Sequence, residues 1–218
     1  MKLLLTSNGI TNQSIATALF ELVGKKPEDT SVAFIPTAAN IDMGDKDWFI
    51  ADLVNLQKLH FKQIDIADIS ALPEAVWKKK LSDADVLFFE GGNCYHLMSW
   101  VRKSGLEQLL PKLLETKVYV GLSAGSMITN PDLSLKILQT IYEEDLDQTE
   151  EMKGLSYVPF HVLPHLNSQY FPRVNEQEIR KLSDGASGTL YALDDNSALK
   201  IVDGVVEVIS EGEYIHLP

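Results

Sequence analysis

The sequence predicts an α/β fold: a doubly wound, mostly parallel sheet with helices on both faces. Short, β-rich apolar runs alternate with amphipathic helical patterns through the first two-thirds of the chain. The 218 residues, 45% of them hydrophobic, supply enough apolar side chains for a large core, which excludes a mainly disordered chain. No linker, repeat or low-complexity tract interrupts the chain, so residues 1–218 are expected to form a single domain.

The predicted strands of this sheet are compact apolar runs that each end in a turn residue. They cover residues 2–5, 32–35, 64–66, 86–89 and 118–120. Between them, apolar residues recur at the i, i+3, i+4 spacing of amphipathic helices. Those helices are predicted over residues 11–22, 45–59, 73–80 and 95–114, with the last one broken by Gly105 and Pro111. Such a βαβ alternation requires right-handed crossovers and therefore a parallel sheet.

The alternation changes after Asn130. Residues 134–155 are acidic without a clear period, which indicates a long excursion of loop with some helix. Strands are predicted again at residues 157–163 and 190–193, with a helix over residues 175–182 between them. The tail, residues 198–209, alternates apolar and polar residues around Asp203-Gly204, a dipeptide typical of a type I′ turn. It therefore predicts a C-terminal β-hairpin.

Composition excludes several classes of partner and cofactor. The 19 Lys and Arg against 31 Asp and Glu leave a net charge of −12, which repels nucleic acid and anionic membranes. The single cysteine, Cys94, forms no intrachain disulfide and no cysteine-based zinc site. No apolar run reaches the length of a signal peptide or a membrane span, so a soluble cytoplasmic protein is expected. No metal or cofactor is expected either.

A strand running directly into Gly121-Leu122-Ser123-Ala124-Gly125 is the first candidate for chemistry. A serine at the apex of a strand-to-helix turn occupies a strained conformation, and flanking glycines let the chains pass closely. Its hydroxyl would stand at the carboxyl end of the sheet, above the N-terminus of the following helix. Ser123 is the predicted nucleophile, and an ordinary glycine-rich turn is the alternative.

A second turn, Glu90-Gly91-Gly92-Asn93, ends the preceding strand. Neighbouring parallel strands bring their carboxyl ends to one side, where such folds bind ligands. Paired glycines allow an N–H to point into the cleft, and with the N–H of Ala124 it would form a two-donor oxyanion hole. A plain tight βα turn is an equal alternative.

His165 is the predicted general base, because it ends a strand and follows a proline that stiffens the turn. His96 lies one helical turn beyond the glycine pair, but the sequence does not determine where its ring points. A metal site formed by His161 and His165 is a weaker interpretation, because Pro164 argues against a helix that would place both on one face.

A carboxylate to orient the base is expected from another strand end, and Asp194-Asp195-Asn196 supplies two. One carboxylate that accepts the far imidazole N–H would fix the tautomer and stabilise the imidazolium. An aspartate-rich turn is the alternative reading of this dipeptide.

Together these motifs resemble the peptidase E and cyanophycinase family of serine peptidases. The resemblance is carried by residues 91–93, residues 121–125 and Pro164-His165. Residues 4–8 and 34–36 are also similar, so the match spans most of the chain. Residues 130–136 lack the arginine that aspartyl dipeptidases of this family usually carry after the serine motif.

The resemblance implies a Ser-His-acid hydrolase on a sheet like that of class I glutamine amidotransferases, a flavodoxin-like arrangement. By match, Ser123 is the nucleophile, His165 the base, and Gly92 with Ala124 the oxyanion donors. Asp195 lies where the family has a glutamate, with Asp194 adjacent. The best-known members remove an N-terminal aspartyl residue from dipeptides without a cofactor.

The predicted function is therefore a serine exopeptidase acting on short acidic peptides, and a homo-oligomer is compatible with it. Asn93 and Arg173 are the expected substrate-binding residues, because a guanidinium holds a carboxylate through two hydrogen bonds and Arg173 is the arginine nearest His165 in sequence. A surface arginine at a helix start is the alternative for Arg173. Two other functions remain open: a non-catalytic small-molecule-binding protein, and an amidotransferase-type hydrolase that uses Cys94.

Overall fold

The computed structural model of this protein describes residues 1–142, 150–183 and 188–218. Strands in these ranges are β1 (Lys2–Thr6), β2 (Ser31–Ile35), β3 (Gln63–Ile66), β4 (Val86–Phe89), β5 (Val118–Leu122), β6 (Asp132–Leu133), β7 (Met152–Lys153), β8 (His161–Leu163), β9 (Leu190–Leu193), β10 (Ser197–Val202), β11 (Val205–Ser210) and β12 (Tyr214–Leu217). Helices are α1 (Gln13–Val23), α2 (Asp47–Lys58), α3 (Glu74–Asp83), α4 (Cys94–Lys103), α5 (Leu106–Leu113), α6 (Ala124–Met127), α7 (Leu135–Thr140) and α8 (Glu176–Ser183). Two short 3₁₀ segments cover Pro27–Asp29 and Thr37–Ile41.

A seven-stranded, mostly parallel sheet forms the centre of the described structure, in the order β11-β10-β1-β5-β4-β2-β3. The strands from β1 to β3 in that order pair in parallel. β10 pairs antiparallel with β1, and β11 pairs antiparallel with β10. The predicted α/β fold class is confirmed, and the five strands predicted in the first two-thirds of the chain lie in this sheet.

Helices cover both faces of the sheet, as predicted. Leu3 and Leu5 belong to one apolar cluster and Leu4 to the other, because successive side chains of a strand point to opposite faces. α1 and α2 pack on the face of Leu4, whereas α3, α4 and α5 pack on the face of Leu3 and Leu5. None of the helices in the described ranges is long and apolar enough to cross a membrane.

The helical pattern over residues 95–114 divides into two helices, as predicted, but Gly105 alone makes the division. Gly105 separates α4 from α5 in the left-handed region, at φ 79°. Pro111 lies inside α5, so the predicted break there is wrong. The proline gives up only one backbone hydrogen bond, and buried Leu106 and Leu110 hold the short helix against the core.

The strand predicted over residues 157–163 is shorter in the structure. Only the last three of those residues form β8, because the N–H groups of Tyr157 and Val158 donate to the carbonyl of Thr129 instead of to a strand. β8 and β9 also lie outside the central sheet. They form a second, three-stranded sheet with β12, a strand that the sequence pattern did not reveal.

The C-terminal hairpin is present as β10 and β11, and it extends the central sheet. Asp203 and Gly204 have φ values of 49° and 85°, the two positive values that a type I′ turn requires. The excursion predicted over residues 134–155 contains α7 and β7, while residues 143–149 of it lie outside the described residues. The helix predicted over residues 175–182 is α8.

Candidate active site

Ser123 lies in a tight turn between β5 and α6, as the sequence motif predicted. Its φ of 48° and ψ of −108° are strained for a residue with a side chain. A Cβ added to Gly121 would lie 2.6 Å from the Gly125 carbonyl, and one added to Gly125 would lie 2.2 Å from the Phe89 carbonyl. Both glycines are therefore required by close backbone packing around the serine.

The helix after Ser123 differs from the expected one. α6 is a single turn of four residues, Ala124–Met127, so it provides little of the aligned dipole of a longer helix. Any stabilisation of negative charge near Ser123 therefore depends on individual N–H groups rather than on a helix terminus.

The structure brings Ser123, His165 and Asp195 into one hydrogen-bonded line. His165 Nε2 lies 2.9 Å from Ser123 Oγ, and His165 Nδ1 lies 2.7 Å from Asp195 Oδ1. The three residues come from turns after β5, β8 and β9. β8 and β9 pair in the second sheet, and β10, shortly after Asp195, returns the chain to the central sheet beside β1, the neighbour of β5. In this order the imidazole is able to take the hydroxyl proton while the carboxylate orients the ring and stabilises its charged form.

The His165 ring is held from two sides. It is 7% exposed and stacks on Phe171, with ring centroids 4.4 Å apart and planes inclined by 14°. The backbone of His165 has a φ of 67°, and its N–H donates to Ser7 Oγ at 2.7 Å. The positive φ turns the ring from the end of β8 toward Ser123, and Phe171 limits its rotation.

Ser7 is a site residue that the sequence analysis missed. Its hydroxyl donates to Asp195 Oδ1 at 3.0 Å while it accepts from the His165 N–H. The available signal was its position directly after β1, at the same carboxyl edge of the sheet as Ser123. Ser7 therefore links the backbone of the histidine to the carboxylate that contacts the ring.

Asp195 is kept ionised by its neighbours. Burial acts to raise the pKa of its carboxyl, but hydrogen bonds from His165, Ser7 and Ser168 outweigh it and hold the pKa below its ordinary value. Asp194 has a different place: its carboxylate accepts from Ser197 Oγ at 2.5 Å and from the Glu213 N–H at 2.6 Å. Of the two aspartates, Asp195 contacts the imidazole and Asp194 organises the turn.

The Gly91-Gly92 turn packs directly against the serine. A Cβ added to Gly91 would lie 3.3 Å from Ser123 Cβ, and Gly92 has a φ of 122° with the Ala38 carbonyl oxygen 2.5 Å from where its Cβ would be. Only glycine fits at Gly92. Within the described ranges, the N–H groups of Gly92 and Ala124 donate to no acceptor, so both remain available to a bound group.

Asn93 lines the same cleft and caps α4, its Oδ1 accepting from the His96 N–H at 2.8 Å. His96 is half-buried, and burial lowers the pKa of its ring despite the nearby carboxylates of Asp68 and Asp42. Cys94 is fully buried at the start of α4. Neither His96 nor Cys94 belongs to the described lining of the cleft, which gives the thiol hydrolase no support.

The structure does not bring Arg173 to the cleft. Its charge acts on Glu178, near the start of α8, and it is not among the described residues that line the cleft. His161 contacts Asp132, its Nε2 lying 3.2 Å from Asp132 Oδ1, whereas both ring nitrogens of His165 contact Ser123 and Asp195. Within the described ranges, no group of three or more His, Cys, Asp or Glu side chains could hold a metal ion.

The cleft beside Ser123 has a volume of about 850 Å³ and an acidic lining. Its aspartates are Asp42, Asp45, Asp47, Asp52 and Asp195, and its described lining contains no lysine or arginine. Apolar side chains of Met43, Trp48, Tyr170 and Phe171 form other parts of the wall. The cleft therefore offers negative charge and apolar surface to a ligand, not a site for a carboxylate.

One pair of carboxyl groups stands out in the wall of this cleft. Asp52 of α2 is 8% exposed, and Glu90, directly after β4, is 0% exposed. Burial raises the pKa of Asp52 to about 6, a hydrogen bond from Glu90 offsets part of that rise, and the charge of Asp195 adds to it. Burial and the neighbouring Asp52 raise the pKa of Glu90 well above its ordinary value. The sequence predictions placed Asp52 in a helix and Glu90 in a turn, but assigned neither residue to the site.

These features define a class: an α/β protein whose serine, histidine and carboxylate meet at the carboxyl edge of a mostly parallel sheet. The chain belongs to peptidase family S51, whose model matches residues 3–209. The predicted resemblance to the peptidase E family is confirmed, and so is the predicted enzyme class, a serine-type peptidase.

Individual relatives agree with this membership. The chain is 28% identical over 180 residues to an uncharacterized peptidase of Pasteurella multocida, a match that covers 80% of this chain and 82% of that protein. It is 25% identical over 209 residues to the peptidase E of Streptomyces coelicolor, covering 92% of this chain and 81% of the relative. The crystal structure of a Listeria monocytogenes protein superposes with a TM-score of 0.79 at 24% identity, over 97% of this chain and 98% of that one, and shows the same fold.

Proposed function

We propose that this chain is a serine exopeptidase that hydrolyses short peptides, with Ser123 as nucleophile, His165 as general base and Asp195 as its orienting carboxylate. The observation that carries the proposal is the hydrogen-bonded line of these three side chains, at 2.9 Å and 2.7 Å, beside a cleft large enough for a small ligand.

In the proposed reaction, the ionised Asp195 accepts the Nδ1–H of His165, which leaves Nε2 free to accept the Ser123 proton. Ser123 Oγ attacks the carbonyl carbon of the peptide bond, and His165 takes the hydroxyl proton. The same imidazolium then gives that proton to the leaving amine as the C–N bond breaks. Water, deprotonated by His165, hydrolyses the acyl-enzyme and regenerates the serine.

The negative oxygen of the tetrahedral intermediate needs donors next to Ser123. The N–H groups of Gly92 and Ala124 are the proposed pair, because Ala124 follows the serine directly and Gly92 follows the glycine that packs against it. Each such donor contributes roughly 10²- to 10³-fold to kcat in other serine hydrolases. Asn93 is proposed to contact the substrate through its side-chain amide nitrogen, since its Oδ1 already caps α4.

The cleft volume supports a short substrate. A space of about 850 Å³ lies within the range of small-molecule sites and is too small for a long stretch of folded or extended polypeptide. The acidic lining gives a peptide with an acidic first residue no counter-charge, and Arg173 lies outside the described lining. Peptides with neutral or basic first residues are therefore the proposed substrates.

The test is active-site labelling combined with a dipeptide panel. A fluorophosphonate probe is expected to label the wild type on Ser123, and Ser123→Ala is expected to abolish labelling and lower kcat roughly 10⁴- to 10⁶-fold with the fold intact. Ser126→Ala is unsuitable as a control because its hydroxyl bonds to Thr6 and Gly121 inside the core. Ser82, which is exposed on α3 and lies outside the described cleft lining, gives a better matched control in Ser82→Ala.

Three results would contradict the proposal. Retention of more than a tenth of the activity in Ser123→Ala would remove the serine mechanism. Binding of peptides without any labelling or hydrolysis would favour the non-catalytic binding protein, and loss of activity with a thiol reagent would favour Cys94.

A further inference from the structure

The Asp52–Glu90 pair is not used by the proposed mechanism. Glu90 is completely buried, and within the described residues neither of its carboxyl oxygens accepts a well-aligned hydrogen bond. Asp52 lies between Glu90 and the cleft, since it contacts Glu90 and also lines the cleft. A buried carboxyl without a donor is costly, so its presence at this wall requires an explanation.

The surroundings of the pair add negative charge rather than remove it. Two carboxyl groups act on Asp52: Glu90 through a hydrogen bond that lowers the pKa of Asp52, and Asp195 through its charge, which raises that pKa. The basic groups of Lys46 and His96 act on Asp42 instead, and the Lys46 ammonium donates to the Ala39 carbonyl. Two neighbouring buried carboxyl groups cannot both ionise readily unless a cation joins them.

We infer that the Asp52–Glu90 pair binds an ammonium group of the substrate beside Ser123. The inference deepens the proposed function and rests on it. An ammonium supplies three donors to a pair whose own hydrogen bond requires that one carboxyl keep a proton, and its charge lets both groups ionise. The pair would thus select for a positively charged group on the acyl side of the bond that is cleaved.

The position of the pair fits a cation close to the reacting bond. Gly91, covalently next to Glu90, packs against Ser123 with 3.3 Å between its would-be Cβ and Ser123 Cβ. The α-amino nitrogen of a first residue lies about 2.5 Å from its own carbonyl carbon, so an N-terminal ammonium reaches the wall beside the serine. The side chain of a first-residue lysine carries the same group on a longer stem.

The experiment separates these two sources of the ammonium. In the Ser123→Ala background, calorimetry measures the dissociation constants of lysyl-alanine and norleucyl-alanine, each with a free or an acetylated α-amino group. Norleucine matches the lysine stem without its charge. Using the inactive background keeps the binding result independent of hydrolysis. A failure of this inference is therefore distinguishable from a failure of the serine mechanism.

We expect removal of one ammonium to weaken binding at least 10-fold. A loss on acetylation assigns the site to the α-amino group, and a loss from lysine to norleucine assigns it to the side chain. Asp52→Asn should abolish that preference, and Glu90→Gln should reduce it. Asp29→Asn, the same change of charge at an exposed position outside the cleft lining, should leave it unchanged.

The inference is overturned if neither acetylation nor norleucine weakens binding, or if Asp52→Asn retains the full preference while remaining folded. Proton release gives a second readout. Binding of a cation should expel a proton from the pair near pH 6, which appears as a heat that depends on the ionisation enthalpy of the buffer, and Asp52→Asn should remove this dependence.

Discussion

Replacing Asp52 by asparagine is expected to stabilise the free protein at neutral pH, although it removes a charged residue from the site. Burial raises the pKa of Asp52 to about 6 from an ordinary value of 3.8. Between these two pH values the unfolded chain is ionised at this position while the folded chain keeps the proton. The free energy of unfolding therefore falls as pH rises through this window, and the full penalty is present above about pH 6.

The magnitude follows from the size of the pKa shift. A rise of roughly 2 in the pKa of Asp52, at about 1.4 kcal/mol for each pKa unit, lowers the free energy of unfolding by about 3 kcal/mol at pH 7. Asparagine has no charge to bury, and its amide is able to hydrogen-bond the Glu90 carboxyl group. Asp52→Asn should thus gain up to about 3 kcal/mol over the wild type at pH 7 and close to nothing at pH 4.

Urea unfolding at half-unit steps from pH 4 to pH 8 measures this difference. The difference between variant and wild type is the informative quantity, because carboxylates with lowered pKa that do not interact with Asp52, such as Asp85, affect both proteins alike. Asp29→Asn serves as the control and should track the wild type. A gain that is the same at pH 4 and pH 7, or a loss at pH 7, would refute the reasoning from burial.

Three further predictions concern the catalytic line. His165→Ala should lower kcat nearly as much as loss of the serine, roughly 10⁴-fold or more, whereas His161→Ala should stay within a few-fold in the same steady-state assay. Asp195→Asn should lower kcat by up to ~10⁴-fold through the wrong imidazole tautomer, while Asp194→Asn should lower the melting temperature and leave kcat nearly unchanged; the reverse ranking would move the role to Asp194. Ser7→Ala should cost about 1–3 kcal/mol of stability, measured by urea unfolding, because it leaves the buried His165 N–H without an acceptor. It should also lower kcat about 10-fold, and an unchanged kcat would count against a positioning role for Ser7.

The strands and the serine turn were accessible from sequence because each depends on local chemistry. Val86–Phe89 is buried on both faces and therefore reads as an uninterrupted apolar run. Gly121 and Gly125 mark a close passage of backbone that no other residue allows, so their spacing around Ser123 is visible without knowledge of the fold. The predicted position of His165 relied in the same way on a strand end.

The sequence predictions were wrong where contacts between residues distant in the chain determine the local structure. Residues 157–160 have strand-like composition, yet Tyr157 and Val158 donate to a carbonyl of the serine helix region instead of to a strand. β12 pairs with β9, about twenty residues earlier in the chain, and no local pattern distinguishes it from a loop. Pro111 is tolerated because the rest of α5 is anchored in the core.

By itself the sequence determined the sheet, the strained serine turn and the histidine at a strand end, because glycine spacing, apolar runs and turn residues act over a few positions. Only the tertiary structure decided that Asp195 rather than Asp194 contacts the imidazole, since the adjacent residues differ only in which way their side chains point. It also decided that Asp52 and Glu90 meet. They lie 38 positions apart, and two acidic side chains become a strained pair only where packing removes them from water.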